Sequence, residues 1–507
     1  MKAGAIEFVG LAATLALTVC GTAEATEAPR STFVESAILS EPSGDVQRLS
    51  SRDFTEYMER SVLDYGRTKA PAAFDGCPLP DPVSKGRTYV LDPVGGRLDG
   101  EGSAERPLPS LSAVFDAIRK GRLQMPLEAG DTLLLRSGDH GSVVVPDLGN
   151  DGFIAIRAAP GAAPVIETLR VTDAQNIVFE GLRFSSAGDG KNNRWLATVS
   201  PDASSIVFRS NRFSTRTDGA SWSDEDWAQR SRMGLFSRGH CASVVGNRFD
   251  DLYNGFRSAG TSALVAGNRF EGVVNDNITF ETGRQWLLGN AILNGRNSLS
   301  NPLHSDAIQG WNKDPDLASD VVIDGNLTLH YQPQRAEPPD PKRKVAGQWM
   351  TPESGVYRQG ISIFDGKWSH VRVSGNVIVT NSTHALTMLG VEDSEITENV
   401  ALSSDPTRVT ARIRILYAKS RAPVERTVVE GNVVPQLEVT TRLPPHPNVI
   451  LDELIQNTKG QPGETPVPPG PPAGWGGVLD RQQDVFVRDI DPAAGIYDVR
   501  PREPMHP

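Results

Sequence analysis

The sequence predicts an all-β fold, a solenoid of parallel strands, on three observations. A segment ending in small–Asn–x–apolar recurs along the chain, as SNRF ending at Phe213, GNRF ending at Phe249 and at Phe270, then GNAIL, GNLTL, SGNVIV, ENVAL and EGNVV. The copies return at a nearly constant interval, since by subtraction Asn247, Asn268 and Asn290 are 21 and 22 residues apart and Asn376 and Asn399 are 23 apart. A second short strand precedes each copy: NGFRS from Asn254, DNITF from Asp276, DAIQG from Asp306, QGISI from Gln359 and HALTM from His384. Alternation of apolar and polar residues describes strands, not helices.

A unit of this length cannot complete its own core. Each turn leaves an apolar edge that the next turn covers, so stability accrues by stacking. Equivalent positions then fall into columns. Phe256, Ile278, Ile308, Ile361 and Leu386 are predicted to stack inside, and Arg257, Thr279, Gln309, Ser362 and Thr387 to form a polar column outside. Asn254, Asp276, Asp306, Gln359 and His384 form a third column where the strands begin. The recurring Asn suits a turn, because it tolerates left-handed backbone angles and bonds neighbouring main chain. Its predicted role is structural. Longer intervals, such as Asn290 to Asn326, are one unit plus an inserted loop.

The repeats are preceded by TYVLDPVGGRLDGEGSAERPLPSLSAVFDAIRKG from Thr88, then AGDTLLLRSGDHG from Ala129. With the Asn-turn repeats, this opening resembles right-handed parallel β-helix proteins of the pectate-lyase-like superfamily, from Thr88 to Pro435. The resemblance implies a right-handed solenoid with an N-terminal helical cap and an irregular C-terminal tail. The cap is a short helix, Leu111–Lys120, covering apolar side chains at the open end. It also implies a groove along one sheet, where polysaccharide-active members work. It is specific for the fold and not for the reaction.

On this reading the chain divides into a signal peptide (1–25), an N-terminal extension (26–85), the β-helix (86–440) and a Pro-rich linker with tail (441–507). Lys2, the apolar run from Phe8 to Cys20 and Ala23-Glu24-Ala25 fit a cleaved leader, so a secreted or periplasmic protein is expected. The run is too short for a stable membrane span, and Val19 stands where lipidation of Cys20 wants a small residue. In the extension, RDFTEYMERSVLDYGR reads as an amphipathic helix; the closing DPAAGIYDVRP resembles a short tail strand. Cys77 and Cys241 are the cysteines left after cleavage; an oxidising compartment permits them to pair, but their positions do not decide it. A net charge of −11 argues against nucleic acid as a partner and against long-range steering of an acidic polymer, while a local basic groove still suits one.

The densest polar cluster is YNGFR (Tyr253–Arg257), NDNITFE (Asn275–Glu281) and HSDAIQGW (His304–Trp311). His304 and Asp306 enter a strand together after an insertion: a histidine moves a proton near neutral pH, and a neighbouring carboxylate orients it. Simple alternation gives Asp306 the inward parity of Ile308, unless the preceding turn breaks it. Arg257 suits bidentate pairing with a uronate carboxylate, and Tyr253 suits donation to a leaving glycosidic oxygen. Asp276 and Asp306 form a carboxylate pair of the kind glycosidases use, or, with Glu281 or Asp251, a set of calcium ligands. No compact calcium loop accompanies them, so no cofactor is expected. Asn254, Gln309, Trp311, Arg232 and Arg358 complete the expected substrate-binding set. Two insertions, Thr215–Arg232 and His330–Gly360, carry Trp222, Trp227 and Trp349, which either stack on sugar rings or cover apolar flanks.

The resemblance implies a polysaccharide partner, and the first expectation is a lyase acting on an acidic, uronate-containing polymer by β-elimination. Many β-helix lyases use a lysine as the C5 base, and this chain has no lysine between Lys191 and Lys313. His304 or Tyr253 would take that role. A uronate C5-epimerase shares the proton abstraction; a glycoside hydrolase would use Asp276 and Asp306; a carbohydrate-binding surface protein needs no chemistry at all.

Overall fold

A computed structural model describes Cys77, residues 86–440 apart from 188–193, 217–220, 294, 297–304, 313–317, 331–343, 346–347, 350–357, 404–409 and 420–422, then 448–450, 486–491 and 496–501. The leader, the helix expected in the N-terminal extension, His304 and most of the second insertion lie outside the described residues. Among those described, no helix is long and apolar enough to cross a membrane.

The fold is a right-handed parallel β-helix. Three parallel sheets carry 13, 11 and 12 strands, here the first, second and third sheets. Each coil lends one strand to each sheet, as Phe256–Ser258 does to the second, Ala263–Ala266 to the first and Arg269–Glu271 to the third. The ladders run from Thr88–Leu91 to Val449–Ile450.

Period-two alternation fixes which side chains enter. Phe256, Ile278, Ile308, Ile361 and Leu386 pair in successive registers as one fully buried column. Along the third sheet Phe184, Phe213, Phe249 and Phe270 stack face to face at 4.6, 4.7 and 4.6 Å between centroids. Burying each ring removes apolar surface worth roughly 1.5–3 kcal/mol, and only the next coil can supply the cover.

Between the first and third sheets runs the asparagine ladder. The Nδ2 of Asn211, Asn247, Asn268 and Asn290 each donates to the Oδ1 of the next asparagine at 2.9–3.0 Å, and the series continues through Asn326, Asn376, Asn399 and Asn432 to Asn448. The left-handed backbone falls on the residue before each Asn, not on the Asn: φ is 64° at Gly246, 61° at Gly267 and 59° at Gly289. Glycine suits this position, which Ser210 and Glu398 also adopt, at φ 54° and 57°.

At the N-terminal end, helix Leu111–Arg119 buries Leu111, Val114, Phe115 and Ala117, with Ser110 as its N-cap, in the expected capping place. The first insertion forms a short helix, Asp224–Arg230, started by a Ser223 capping box. Its Trp227 is buried, 4.8 Å from Trp222, so this pair covers a flank. Strands Phe486–Asp491 and Ile496–Pro501 pair antiparallel, and the latter coincides with the expected tail strand. Cys77 and Cys241 form a disulfide, with Cα atoms 5.3 Å apart.

Candidate functional site

The second sheet carries the outward polar column. Register pairs Phe236 with Arg257, Arg257 with Thr279, Thr279 with Gln309, Gln309 with Ser362 and Ser362 with Thr387. The column continues to Arg414 and Glu438. Parallel pairing thus brings residues from distant parts of the sequence onto one wall, about 4.8 Å per coil.

Arg257 is the best-defined group on that wall. Its guanidinium carbon lies 5.2 Å from the Phe236 ring centroid and 5.6 Å from that of Trp311, a clamp of two aromatic faces. Its Nε donates to Glu281 Oε1 on the next coil. Its two terminal nitrogens have no protein acceptor among the described residues. The side chain is 32% exposed and Glu281 22%. A fixed guanidinium with two open donors has the geometry to pair with a carboxylate.

Beside it, the strand entries are tied together. Gln309 Nε2 donates to Asp306 Oδ2 at 3.0 Å, and the Asp306 N–H donates to Asp276 Oδ1 at 3.0 Å. Asn275 Nδ2 donates to Asn254 Oδ1 and to Asp276 Oδ2, both at 3.2 Å. Tyr253, Asn254, Asp276, Gln309 and Trp311 are all half-buried and reachable from the wall.

Asp306 is fully buried, yet the simple alternation breaks ahead of Ile308: Ala307 and Ile308 are both core residues, and the Asp306 carboxylate accepts from Gln309 of the outward column. Two other expectations meet corrections. Arg358 is 2% exposed, and its guanidinium donates to the carbonyls of Val273 and Asn275 at 3.2 and 3.0 Å and to Asn277 Oδ1. Burial pulls its pKa down to about 10 against the pull of Asp276 and Asp306, so the three form a charge cluster beneath the wall. Burial, with Arg358 alongside, pushes His330 down to about 3, so that ring is neutral. Arg232 is also buried, and its Nε and terminal nitrogen both donate to the Ala187 carbonyl, at 2.8 and 2.6 Å. Arg358 and Arg232 brace main chain; neither presents its guanidinium on the wall.

A second polar group lies further along the same column, where Arg412, Arg414 and Glu438, which sequence reasoning did not single out, join His384 and Thr387. His384 Nδ1 is 3.1 Å from Thr387 Oγ1 and 3.4 Å from a terminal nitrogen of Arg414. Arg414 and Arg412 donate to the two oxygens of Glu438 at 2.8 and 2.7 Å. Burial works to raise the Glu438 carboxyl, and the two guanidinium groups overcome it and hold it below the usual range. The alternation in RIRIL would have revealed these arginines had the column been extended one coil. Phe236, in MGLFS, was missed for the same reason at the other end.

For metals, one group of three ligand types lies close together among the described residues: Cys77, His240 and Cys241. Its two sulfurs are bonded to each other. Asp251, offered as an alternative to Glu281 in the calcium set, pairs with Arg296 at 2.8 Å.

No family model matches this chain, and no curated protein matches it. Similar solved structures include a GH136 lacto-N-biosidase from Eubacterium ramulus, at 12% identity over 76% of this chain and 70% of that one, with a TM-score of 0.36. The A-module of a mannuronan C-5 epimerase from Azotobacter vinelandii is similar at 12% identity over 67% and 92%, TM-score 0.36. A surface adhesin of Streptococcus pneumoniae is similar at 12% identity over 60% and 79%, TM-score 0.35. The reaction must be read from the wall's own residues.

Proposed function

We propose that this protein is an exported enzyme that cleaves a uronate-containing polysaccharide by β-elimination on the wall of the second sheet. The observation that carries the reading is Arg257, held between Phe236 and Trp311 with two donors open. A uronate carboxylate seated there loses part of its negative charge, which acidifies the C5 hydrogen beside it. A base, His304 or Tyr253, removes that hydrogen as a proton. The C5–H electron pair becomes the C4=C5 double bond, and the bond from C4 to the glycosidic oxygen breaks with its electrons. That oxygen takes a proton, supplied by Tyr253 where His304 is the base. Asp276, Asn254 and Gln309 hold the sugar hydroxyls. Glu281 keeps the guanidinium aligned.

An epimerase is the second reading, because the same receptor and base serve if the C5 proton returns from the opposite face and the C4–O bond survives. The paired-carboxylate hydrolase is disfavoured, since Asp306 is buried and helps balance Arg358. The guanidinium supplies the positive charge, so chelation with EDTA is expected to leave the rate unchanged; a rate abolished by EDTA and restored by calcium would replace Arg257 with a metal in this role.

The test is incubation of purified protein with polygalacturonate, alginate and glucuronate-containing glycans. Growth of the ultraviolet absorbance of an unsaturated uronate supports elimination. Exchange of C5 hydrogen for deuterium without that absorbance supports epimerisation. Reducing ends without absorbance, or binding alone, would overturn both.

A further inference from the structure

The outward face of the third sheet carries a different charge pattern. Arg183, Arg212, Arg248 and Arg269 occupy one column in register, one per coil, at steps of about 4.8 Å. Arg183 is exposed, and the side chains of Arg212 and Arg248 are 52% and 55% exposed. Like charges directly opposite on a sheet repel, so stacking four of them costs stability. The coil does not require arginine here: the same column continues as Ala291, Leu327, Val377 and Val400.

Countercharge on the face is incomplete. Arg212 and Arg248 share one carboxylate, Asp250, at 2.9 and 3.5 Å, and Arg269 pairs with Glu271 at 2.8 Å. Burial raises the Asp250 pKa despite both arginines. Arg183 has no carboxylate partner among the described residues. On a chain of net charge −11, four arginines in file thus share two carboxylates, Asp250 and Glu271.

We infer that this arginine file is a second binding surface, a track that takes a linear anionic polysaccharide lengthwise along the coils. The partner's charges must lie in a narrow, nearly straight row, as the carboxylates or sulfates of an extended glycan do. A duplex carries its phosphates around a wide cylinder, and a membrane presents them in a plane; both would press on the flanking Asp250 and Glu271. The track and the Arg257 wall belong to different sheets. The track therefore stands whether or not the wall cleaves anything, and it would tether polymer to the protein independently of turnover.

The test uses the full-length protein in an Arg257→Ala background, so that retention by the wall does not mask the track. Affinity for polygalacturonate and heparin is measured against salt concentration, with neutral dextran and phosphatidylglycerol vesicles as comparisons. Arg183→Gln, which breaks no ion pair among the described residues, should weaken polyanion binding several-fold. Adding Arg212→Gln and Arg248→Gln should weaken it on the order of tenfold or more and flatten the salt dependence. Because the triple variant strips Asp250 of its partners, its melting is checked, and Arg183→Gln alone decides if it unfolds. Unchanged affinity in Arg183→Gln, equal binding to dextran, or a loss confined to the vesicles would overturn the inference.

Discussion

Two arginines on the second sheet show how position decides what a side chain does. Arg257 faces out and keeps two donors open; Arg358 faces in and gives its donors to main chain. Arg257→Ala is therefore expected to lower kcat/KM on a uronate polymer about 100-fold, with Arg257→Lys intermediate, because a charge-assisted bidentate contact is lost. Its melting should shift little, since a partly exposed ion pair is worth roughly 0–1 kcal/mol. Arg358→Ala should do the reverse to folding and cost roughly 3–5 kcal/mol in urea titrations, because Asp276 and Asp306 lose their countercharge in a buried place. If Arg358→Ala melts like the parent, the buried charge cluster is not what holds these coils. Simple alternation placed Arg257 outward but failed ahead of Ile308, where Ala307 also enters the core. It could not place the guanidinium groups of Arg232 and Arg358, whose partners are carbonyls 45, 83 and 85 residues away in sequence.

At the scale of the strand and turn, most of the architecture was legible because each coil repeats one chemical solution. The Asn spacing marked every ladder turn, and the interior column from Phe256 to Leu386 matches the observed register. The one misplaced detail was the left-handed angle, which falls on the residue before Asn. That is why glycine precedes most of the ladder positions. Insertions were legible as interruptions but not as structures, because they follow no repeat; the capping box at Ser223 is a local rule that would have found the short helix. A less visible feature ends the strand Ser319–Asp324. Asp324 is buried against the Ser374 hydroxyl at 2.7 Å, and burial raises its pKa from 3.8 to about 6. The folded state thus holds a proton that the unfolded chain has released, so the stability linked to it is full below 3.8 and is lost as pH rises through about 6. Asp324→Asn should remove this slope. Relative to the parent it should gain on the order of 1–3 kcal/mol at pH 8 over pH 4 in urea titrations. Parallel pH profiles for the two proteins would show that Asp324 titrates normally.

The β-helix is a stack in which each coil contacts mainly its neighbours, so stability is approximately a sum over coils and can be lost locally. The helix Leu111–Arg119 closes one end of that stack, and the disulfide acts on the same end. Cys77 precedes the first strand, and Cys241 lies at a sequence separation of 164, so the closed loop contains the cap and the early coils and none of the later ones. Closing a loop of this length removes unfolded-state entropy worth up to about 5 kcal/mol in the chain-entropy picture, and measured effects are commonly 2–4 kcal/mol. In a compact two-state domain that loss would appear everywhere at once. In a solenoid it should be directional. Reduction, or Cys77→Ser with Cys241→Ser, is expected to speed amide hydrogen exchange in strands such as Thr132–Leu135, Gln175–Glu180 and Ser204–Arg209, while Arg358–Asp365 and Trp368–Ser374 stay as protected as before. A uniform loss of protection across all of these strands would mean the coils unfold as one cooperative unit and that the crosslink stabilises the whole stack, not its capped end.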